Sequence, residues 1–181
     1  NIKTKKIISA IIPVHVFGNA VDLDKLISIC KDYNIKVIED AAESLGTIYT
    51  KGKYKRKHCG TIGDLGCISF NGNKIITSGG GGVILTNNKL YAKKANYLIN
   101  QSKDDPINFI HNSVGYNYRL SNLHASLGLS QLKKLDRIVK EKQSIHEQYK
   151  NLLMNNKNYS LIESPIYCNS NKWLNILIIK N

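Results

Sequence analysis

Several features that mark other classes of protein are scarce in this sequence. No apolar run reaches the ~18 to 20 residues that a membrane span needs, and the opening stretch NIKTKKIISAIIPV has no small-residue signal cleavage site. The cysteines form no C-x-x-C pair and have no histidine at metal-ligand spacing; they are Cys30, Cys59, Cys67 and Cys168. We therefore expect free thiols, no metal, no membrane partner and a cytoplasmic protein.

Arginine is also scarce, although the chain is strongly basic. The 26 lysine and arginine residues outnumber the 13 acidic residues, so the formal net charge is +13. Only Arg56, Arg119 and Arg137 are arginines, and the lysines are dispersed among asparagine and isoleucine, apart from KGKYKRKH (51–58), which is typical of a solvated loop. Proteins that bind nucleic acids favour arginine clusters with interleaved aromatic side chains. A nucleic-acid-binding protein is therefore a weak alternative, which a salt-dependent gel shift would support.

The pattern of apolar runs predicts an α/β fold. KIISAIIPV (6–14) and IKVIED (35–40) are typical of strands buried on both faces, and a helix that Asp22 can cap lies between them. This strand-helix-strand order predicts a mostly parallel sheet with flanking helices. GCISF (66–70) and GGVILT (81–86) predict two further strands, and a helix follows from about 88 to 100.

The second half of the chain predicts a different arrangement. A long amphipathic helix is expected to connect two domains over 121–155; its predicted buried stripe consists of Leu123, Leu127, Leu135, Ile138, Ile145, Tyr149 and Leu152. We assign 1–120 to part of a large α/β domain and 156–181 to the start of a small C-terminal domain. Because the chain opens without methionine and stops within a strand-like run, we expect a fragment that is incomplete at both ends.

Three polar side chains follow predicted strands where ligands collect in a parallel sheet. Asp40 ends one strand, while Ser69 and Lys74 come at the end of another. A carboxylate, a hydroxyl and an amine are the groups that pyridoxal phosphate (PLP) requires for its pyridine nitrogen, its phosphate and its covalent attachment. The glycines from Gly79 to Gly82 would let the backbone approach such a cofactor closely.

Taken singly, each of these residues has a simpler interpretation. Asp40 could be a helix cap, Ser69 a turn residue and Lys74 a solvated surface lysine. A phosphate-binding loop of the Walker type is disfavoured, because the lysine of GNKIITSGGGG precedes its glycines. The hypothesis of a PLP site therefore depends on the combination and its position at strand ends.

Three motifs resemble one known family. IEDAAESLG, GDLGCISFNGNKIITSGGGG and GYNYRLSNLHASLGLSQLKKLD, within 11–136, resemble the DegT/DnrJ/EryC1/StrS family of PLP-dependent sugar aminotransferases. The resemblance implies the large domain of a type I, aspartate aminotransferase-like fold. It also implies that Lys74 bonds to the cofactor, that Asp40 pairs with the pyridine nitrogen and that Ser69 holds the phosphate. Asn117 would reach the phosphate of the other subunit in a homodimer.

The chain departs from the commonest family pattern at three positions. Glu43, which the resemblance places beside the cofactor ring, stands where many members have glutamine. Gly80 replaces a frequent glutamate, and His124 a frequent glutamine. The motifs are most similar to the subgroup of legionaminic acid-type nonulosonate synthesis. That likeness implies transfer of an amino group from glutamate to C4 of a UDP-linked 4-keto-6-deoxy-N-acetylhexosamine.

Two alternatives stay open within the same resemblance. One is a PLP-dependent sugar 3-dehydratase, a sibling in which histidine replaces the reactive lysine, so Lys74 argues against it. The other is an inactive fragment, because the expected phosphate donors and the ring-stacking aromatic residue would precede Asn1.

Overall fold

The computed structural model describes residues 3–180, and its elements begin with one βαβ unit. The elements of the first hundred residues are β1 (Ala10–Ile11), a 3₁₀ helix (Val16–Gly18), α1 (Leu23–Asp32), β2 (Lys36–Asp40), β3 (Ile48–Tyr49), β4 (Leu65–Ser69), β5 (Gly82–Leu85) and α2 (Lys89–Ile99). Those that follow are α3 (Asn122–Leu132), α4 (Leu135–Leu153), β6 (Tyr159–Leu161), β7 (Cys168–Asn169) and β8 (Leu177–Ile179). In residues 3–180, no helix has the length and hydropathy needed to cross a membrane.

The main sheet has four strands in the order β1-β2-β4-β5. The β1–β2 and β2–β4 pairs are parallel, whereas β4 and β5 are antiparallel. The predicted α/β class with a mostly parallel sheet is therefore confirmed. Two small antiparallel pairs, β3–β7 and β6–β8, complete the strands of the described residues.

The central strands have one buried and one open face, so the prediction that the strand at 35–40 is buried on both faces was wrong. Val37 and Glu39 of β2 and Ile68 of β4 are buried; Val37 and Ile68 belong to the same apolar cluster as Leu23 and Ile27 of α1. Alternation along a strand puts every second residue on the opposite face. Since Asp40 pairs with Cys67, the open face carries Asp40, Cys67 and Ser69.

The first predicted strand is much shorter than expected. Of the run 6–14, only Ala10–Ile11 forms a ladder with β2, and Val14 adds an isolated bridge to Asp40. Ile7, Ile8 and Ile12 are exposed, so burial on both faces was wrong. The reason is that nothing in residues 3–180 packs over these side chains, since none of them belongs to either apolar cluster.

The long helix predicted over 121–155 is two helices. Lys134, between α3 and α4, has φ −104° and ψ 0°, which lie outside the helical region. Most of the predicted stripe is also not buried, since Leu123, Leu127, Ile145, Tyr149 and Leu152 are exposed. Leu135 and Ile138 do pack against a buried cluster. Residues 3–180 thus cover only part of the apolar surface of these helices.

The C-terminal region packs back onto the first region. β7 pairs with β3, and Trp173 joins Ile75 and Ile76 in a second buried cluster. The division at 120 and 155 stays a prediction. What the contacts establish is that residues after 156 help to form the environment of the turn after β4.

Candidate active site

Lys74 lies in a compact turn that follows β4. Its backbone N–H donates to the Asn71 carbonyl at 3.1 Å, and the N–H of Ser78 donates to the Phe70 carbonyl at 3.0 Å, which closes the turn. The Lys74 side chain is only 13% exposed. A lysine side chain normally keeps its charged end in water. This side chain is therefore held in place, which a merely solvated lysine would not be.

Two side chains flank the amine of Lys74. The Nζ atom lies 3.5 Å from Oε1 of Glu43 and 4.3 Å from the centroid of the Trp173 ring. Oε2 of Glu43 accepts a hydrogen bond of 2.7 Å from the Phe17 N–H, so the carboxylate is fixed from its far side. A carboxylate and an aromatic face both attract an ammonium group. The site thus has a defined position for the protonated amine.

Asp40 and Ser69 share the open face of the sheet at the ends of neighbouring strands. Asp40 Oδ1 accepts a hydrogen bond from the Ala42 N–H at 3.1 Å, and Ser69 Oγ accepts one from the Asn71 N–H at 3.2 Å. Within residues 3–180, neither side chain contacts Lys74 through a hydrogen bond or ion pair. The structure therefore places Lys74 in contact with Glu43, and it places Asp40 on the same strand face as Ser69. It shows no hydrogen bond or ion pair between these two pairs in residues 3–180.

Asn117 lies apart from this group. It is exposed, it forms an isolated bridge with Asn100, and it borders a cavity of about 440 Å³ together with Arg119 and Ser121. Among the described residues it makes no contact with Lys74 or Ser69. Its predicted role toward a second subunit stays a prediction.

The glycine run lies against the start of α3. Gly79 and Gly81 have φ of +84° and +80°, a conformation that side chains disfavour. A side chain on Gly81 would also collide with Leu120. His124 lies beside Gly79, and its Nδ1 is 2.9 Å from Ser121 Oγ. Gly80, in contrast, has open space around it, so the structure would also accommodate a side chain at this position.

A buried hydrogen-bonded pair, His15 and Glu39, lies beneath the strand ends. Glu39 accepts hydrogen bonds from His15 Nε2 at 2.9 Å and from the N–H groups of Gly60, Ile62 and Gly63 at 2.8, 2.6 and 2.6 Å. His15 Nδ1 accepts from the Val21 N–H, so the ring proton is on Nε2. Burial alone would raise the pKa of Glu39, but the hydrogen bonds outweigh it and hold that pKa below its ordinary value.

Sequence reasoning missed two residues of this site. Trp173 and Asn171 lie in the region assigned to the start of the small C-terminal domain, and neither was singled out. Asn171 is fully buried, and its side-chain amide donates to the carbonyls of Glu43 and Leu45 at 2.9 Å each. One available signal was composition, because Trp173 is the only tryptophan of the chain.

The donor set fits PLP. Lys74 supplies an amine that is held in a turn, Asp40 a carboxylate whose Oδ2 has no hydrogen bond within residues 3–180, and Ser69 a hydroxyl on the same strand face as Asp40. These groups match the covalent, pyridine and phosphate contacts that the cofactor requires. An α/β fold with this donor set is compatible with the class of PLP-dependent enzymes.

Comparison with known proteins identifies the family. The sequence model of the DegT/DnrJ/EryC1/StrS aminotransferase family matches residues 1–181, so the chain belongs to that family, whose cofactor is PLP. A crystal structure of a member from Brucella abortus is 25% identical, with a TM-score of 0.83, and covers 96% of this chain and 44% of its own.

The curated relatives of this chain include enzymes named for nucleotide sugars. The chain is 40% identical over 172 residues to EpsN of Bacillus subtilis, whose name describes a PLP-dependent aminotransferase, covering 95% of this chain and 43% of EpsN. It is 38% identical to a GDP-perosamine synthase of Vibrio cholerae (83% and 40% covered). It is 34% identical to a UDP-4-amino-4,6-dideoxy-N-acetyl-beta-L-altrosamine transaminase of Campylobacter jejuni (96% and 45%). The chain thus spans less than half the length of these relatives.

Proposed function

We propose that the protein containing this chain transfers an amino group from glutamate to the C4 keto group of a UDP-linked 4-keto-6-deoxy-N-acetylhexosamine. Its product would serve nonulosonate and surface-glycan synthesis in the cytoplasm. The observation that carries the proposal is Lys74, held in its turn beside Glu43 in a chain of the aminotransferase family. The Campylobacter jejuni relative, a transaminase named for a UDP-linked 4-amino sugar, supports the choice of substrate.

Each predicted site residue has a part in this proposal. Lys74 would bond to the cofactor through its amine, and the carboxylate of Asp40 would accept a hydrogen bond from the protonated pyridine nitrogen and so keep it protonated. The hydroxyl of Ser69 binds the phosphate, and Glu43 lies beside the ring. When bound, PLP supplies an electron sink for the carbanion formed at the substrate carbon.

Lys74 has a second role in this proposal, which is to transfer a proton. Once its amine is free of the cofactor, it can take the proton from the amino acid's α-carbon and return it on the cofactor side. That task requires the amine to stay near its bonded position after release. The contacts of Lys74 with Glu43 and Trp173 provide such a position.

A homodimer is part of the same proposal. Asn117 is exposed and does not contact the Lys74 group, so it is available to reach the phosphate in a second subunit. We also propose the division into a large domain (1–120), a connecting region (121–155) and the start of a small domain (156–181).

A GDP-linked keto sugar is the second candidate substrate. The observation that favours it is the similarity to the GDP-perosamine synthase of Vibrio cholerae, at 38% identity over 151 residues. The reaction on the amino donor would be the same. The two candidates differ in the nucleotide and in the N-acetyl group.

The experiment uses the whole protein with PLP. Borohydride reduction followed by peptide mapping should find the cofactor on the peptide that contains Lys74, and Lys74→Arg should abolish the adduct. Lys93→Arg, on the exposed surface of α2, is the matched control. Glutamate and a panel of UDP- and GDP-linked keto sugars then identify the substrate by mass spectrometry. An adduct on another lysine, or no turnover of any keto sugar, would contradict the proposal.

A further inference from the structure

The segment 169–173 enters the site from the far end of the chain. The Trp173 Nε1–H donates to the Asn73 carbonyl at 2.7 Å, which fixes the indole against the turn that carries Lys74. Trp173 is 8% exposed, so the ring is packed rather than mobile at the surface. Its face lies 4.3 Å from the Lys74 amine.

The indole and the Glu43 carboxylate together define a position for the amine. Glu43 Oε1 is 3.5 Å from Nζ, a distance at which charge attraction matters more than a hydrogen bond. A cation over an indole is attracted by the negative face of the ring, and more strongly where water is excluded. Both interactions hold a protonated amine at the position that the structure shows.

Asn171 connects the two flanking groups. Its Nδ2 donates to the carbonyls of Glu43 and Leu45 at 2.9 Å each, and its Oδ1 accepts from the Trp173 N–H at 2.9 Å. The Asn171 N–H donates to Thr47 Oγ1 at 3.0 Å, which anchors the same segment. One fully buried side chain therefore links the backbones of both residues that contact Lys74.

We infer that Trp173 is a positioning residue for Lys74. Its indole and the Glu43 carboxylate hold the amine in the protonated state that it has between taking the proton from the α-carbon and returning it, and Asn171 maintains their spacing. This inference rests on the proposed function, in which Lys74 alternates between a bonded and a free state. Holding the protonated amine in place would keep its proton close to the atom that receives it.

The chain contains an internal comparison for this contact. Lys94 lies 4.9 Å from the centroid of the Tyr97 ring, but on the exposed surface of α2. Water weakens a cation–aromatic contact, so Lys94 should react with amine reagents as an ordinary surface lysine. Its labelling rate serves as the reference within each variant.

The first test measures the free amine without cofactor. The whole protein, stripped of PLP, is treated with limiting acetic anhydride at fixed pH, and labelling of Lys74 relative to Lys94 is read by mass spectrometry. Trp173→Leu should raise that ratio about 2- to 30-fold, the range for losing a cation–aromatic contact. Trp173→Phe keeps a ring and should restore most of the protection. Glu43→Gln should also raise the ratio and provides a second variant if Trp173→Leu does not fold.

The second test separates positioning from substrate binding. In the PLP-loaded protein, Trp173→Leu should lower kcat about 10-fold with little change in KM, because the amine acts after the substrate is bound. A raised KM with unchanged Lys74 labelling would overturn the inference and make Trp173 a substrate contact. Unchanged labelling in both Trp173→Leu and Glu43→Gln would also overturn it. Failure of the proposed function is distinguishable, because it appears as a missing borohydride adduct in the unmutated protein.

Discussion

Glu39→Gln should be among the most destabilising conservative substitutions in this chain. Each carboxylate oxygen of Glu39 accepts two hydrogen bonds, one oxygen from Ile62 and Gly63 and the other from His15 and Gly60. Glutamine keeps the volume but replaces one oxygen with an NH₂ group. That group would face two donors at hydrogen-bonding distance, so one of the two donor pairs would lose its acceptor.

The loss can be estimated from these contacts. Two charge-assisted hydrogen bonds, worth about 1.5 to 3 kcal/mol each, give a loss of about 3 to 6 kcal/mol in the free energy of unfolding. His15 cannot compensate by changing its tautomer, because its Nδ1 already accepts the Val21 N–H. The remaining oxygen would serve only one of the two donor pairs.

The pH dependence gives an independent signature. Because the folded-state pKa of Glu39 lies below its ordinary value of 4.5, its ionised form stabilises the fold above that value. This stability is lost as the pH falls through the folded-state pKa. The difference in the free energy of unfolding between the unmutated protein and Glu39→Gln should therefore be largest near pH 7 and should decrease in acid.

The assay is urea unfolding of the whole protein, followed by circular dichroism at pH 7 and at a series of lower pH values. Glu141→Gln is the matched control, because Glu141 forms an exposed pair with Arg137 and should change stability little. If the free energy of unfolding of Glu39→Gln at pH 7 lies within about 0.5 kcal/mol of the unmutated value, as for a surface substitution, the reasoning is refuted. A loss of stability that did not change with pH would refute it as well.

Two further predictions concern the cofactor site and the glycine run. Asp40→Asn should keep most PLP binding, measured by absorbance, but lower turnover at least ~100-fold, because charge stabilisation of the carbanion is lost; near-normal turnover would make Asp40 only a turn residue. Gly81→Ala should cost about 1 to 3 kcal/mol, because it strains a positive φ and collides with Leu120. Gly80→Ala is its control, since open space surrounds Gly80, and equal melting temperatures for the two variants would contradict the steric argument.

The local pattern of apolar residues predicted the two central strands correctly, but it overestimated the length of the edge strand β1. The runs around β2 and β4 are apolar and buried on one face, and both strands form where predicted. The run 6–14 is also rich in apolar residues, but only Ala10–Ile11 pairs with β2. Periodicity reports that a surface is apolar, but it does not report whether another element covers that surface. The same reason accounts for the exposed stripe of α3 and α4.

By itself, the sequence determined the class of fold, the family and the candidate lysine, because each depends on short contiguous stretches. Lys74, Ser69 and the glycines lie within fourteen consecutive residues, SFNGNKIITSGGGG. The tertiary structure alone decided what surrounds the amine. Asn73 and Trp173 are 100 positions apart, and Asn171 and Glu43 are 128 apart. No local period encodes such contacts, since they arise only when β7 pairs with β3 and brings the segment 169–173 against the turn after β4.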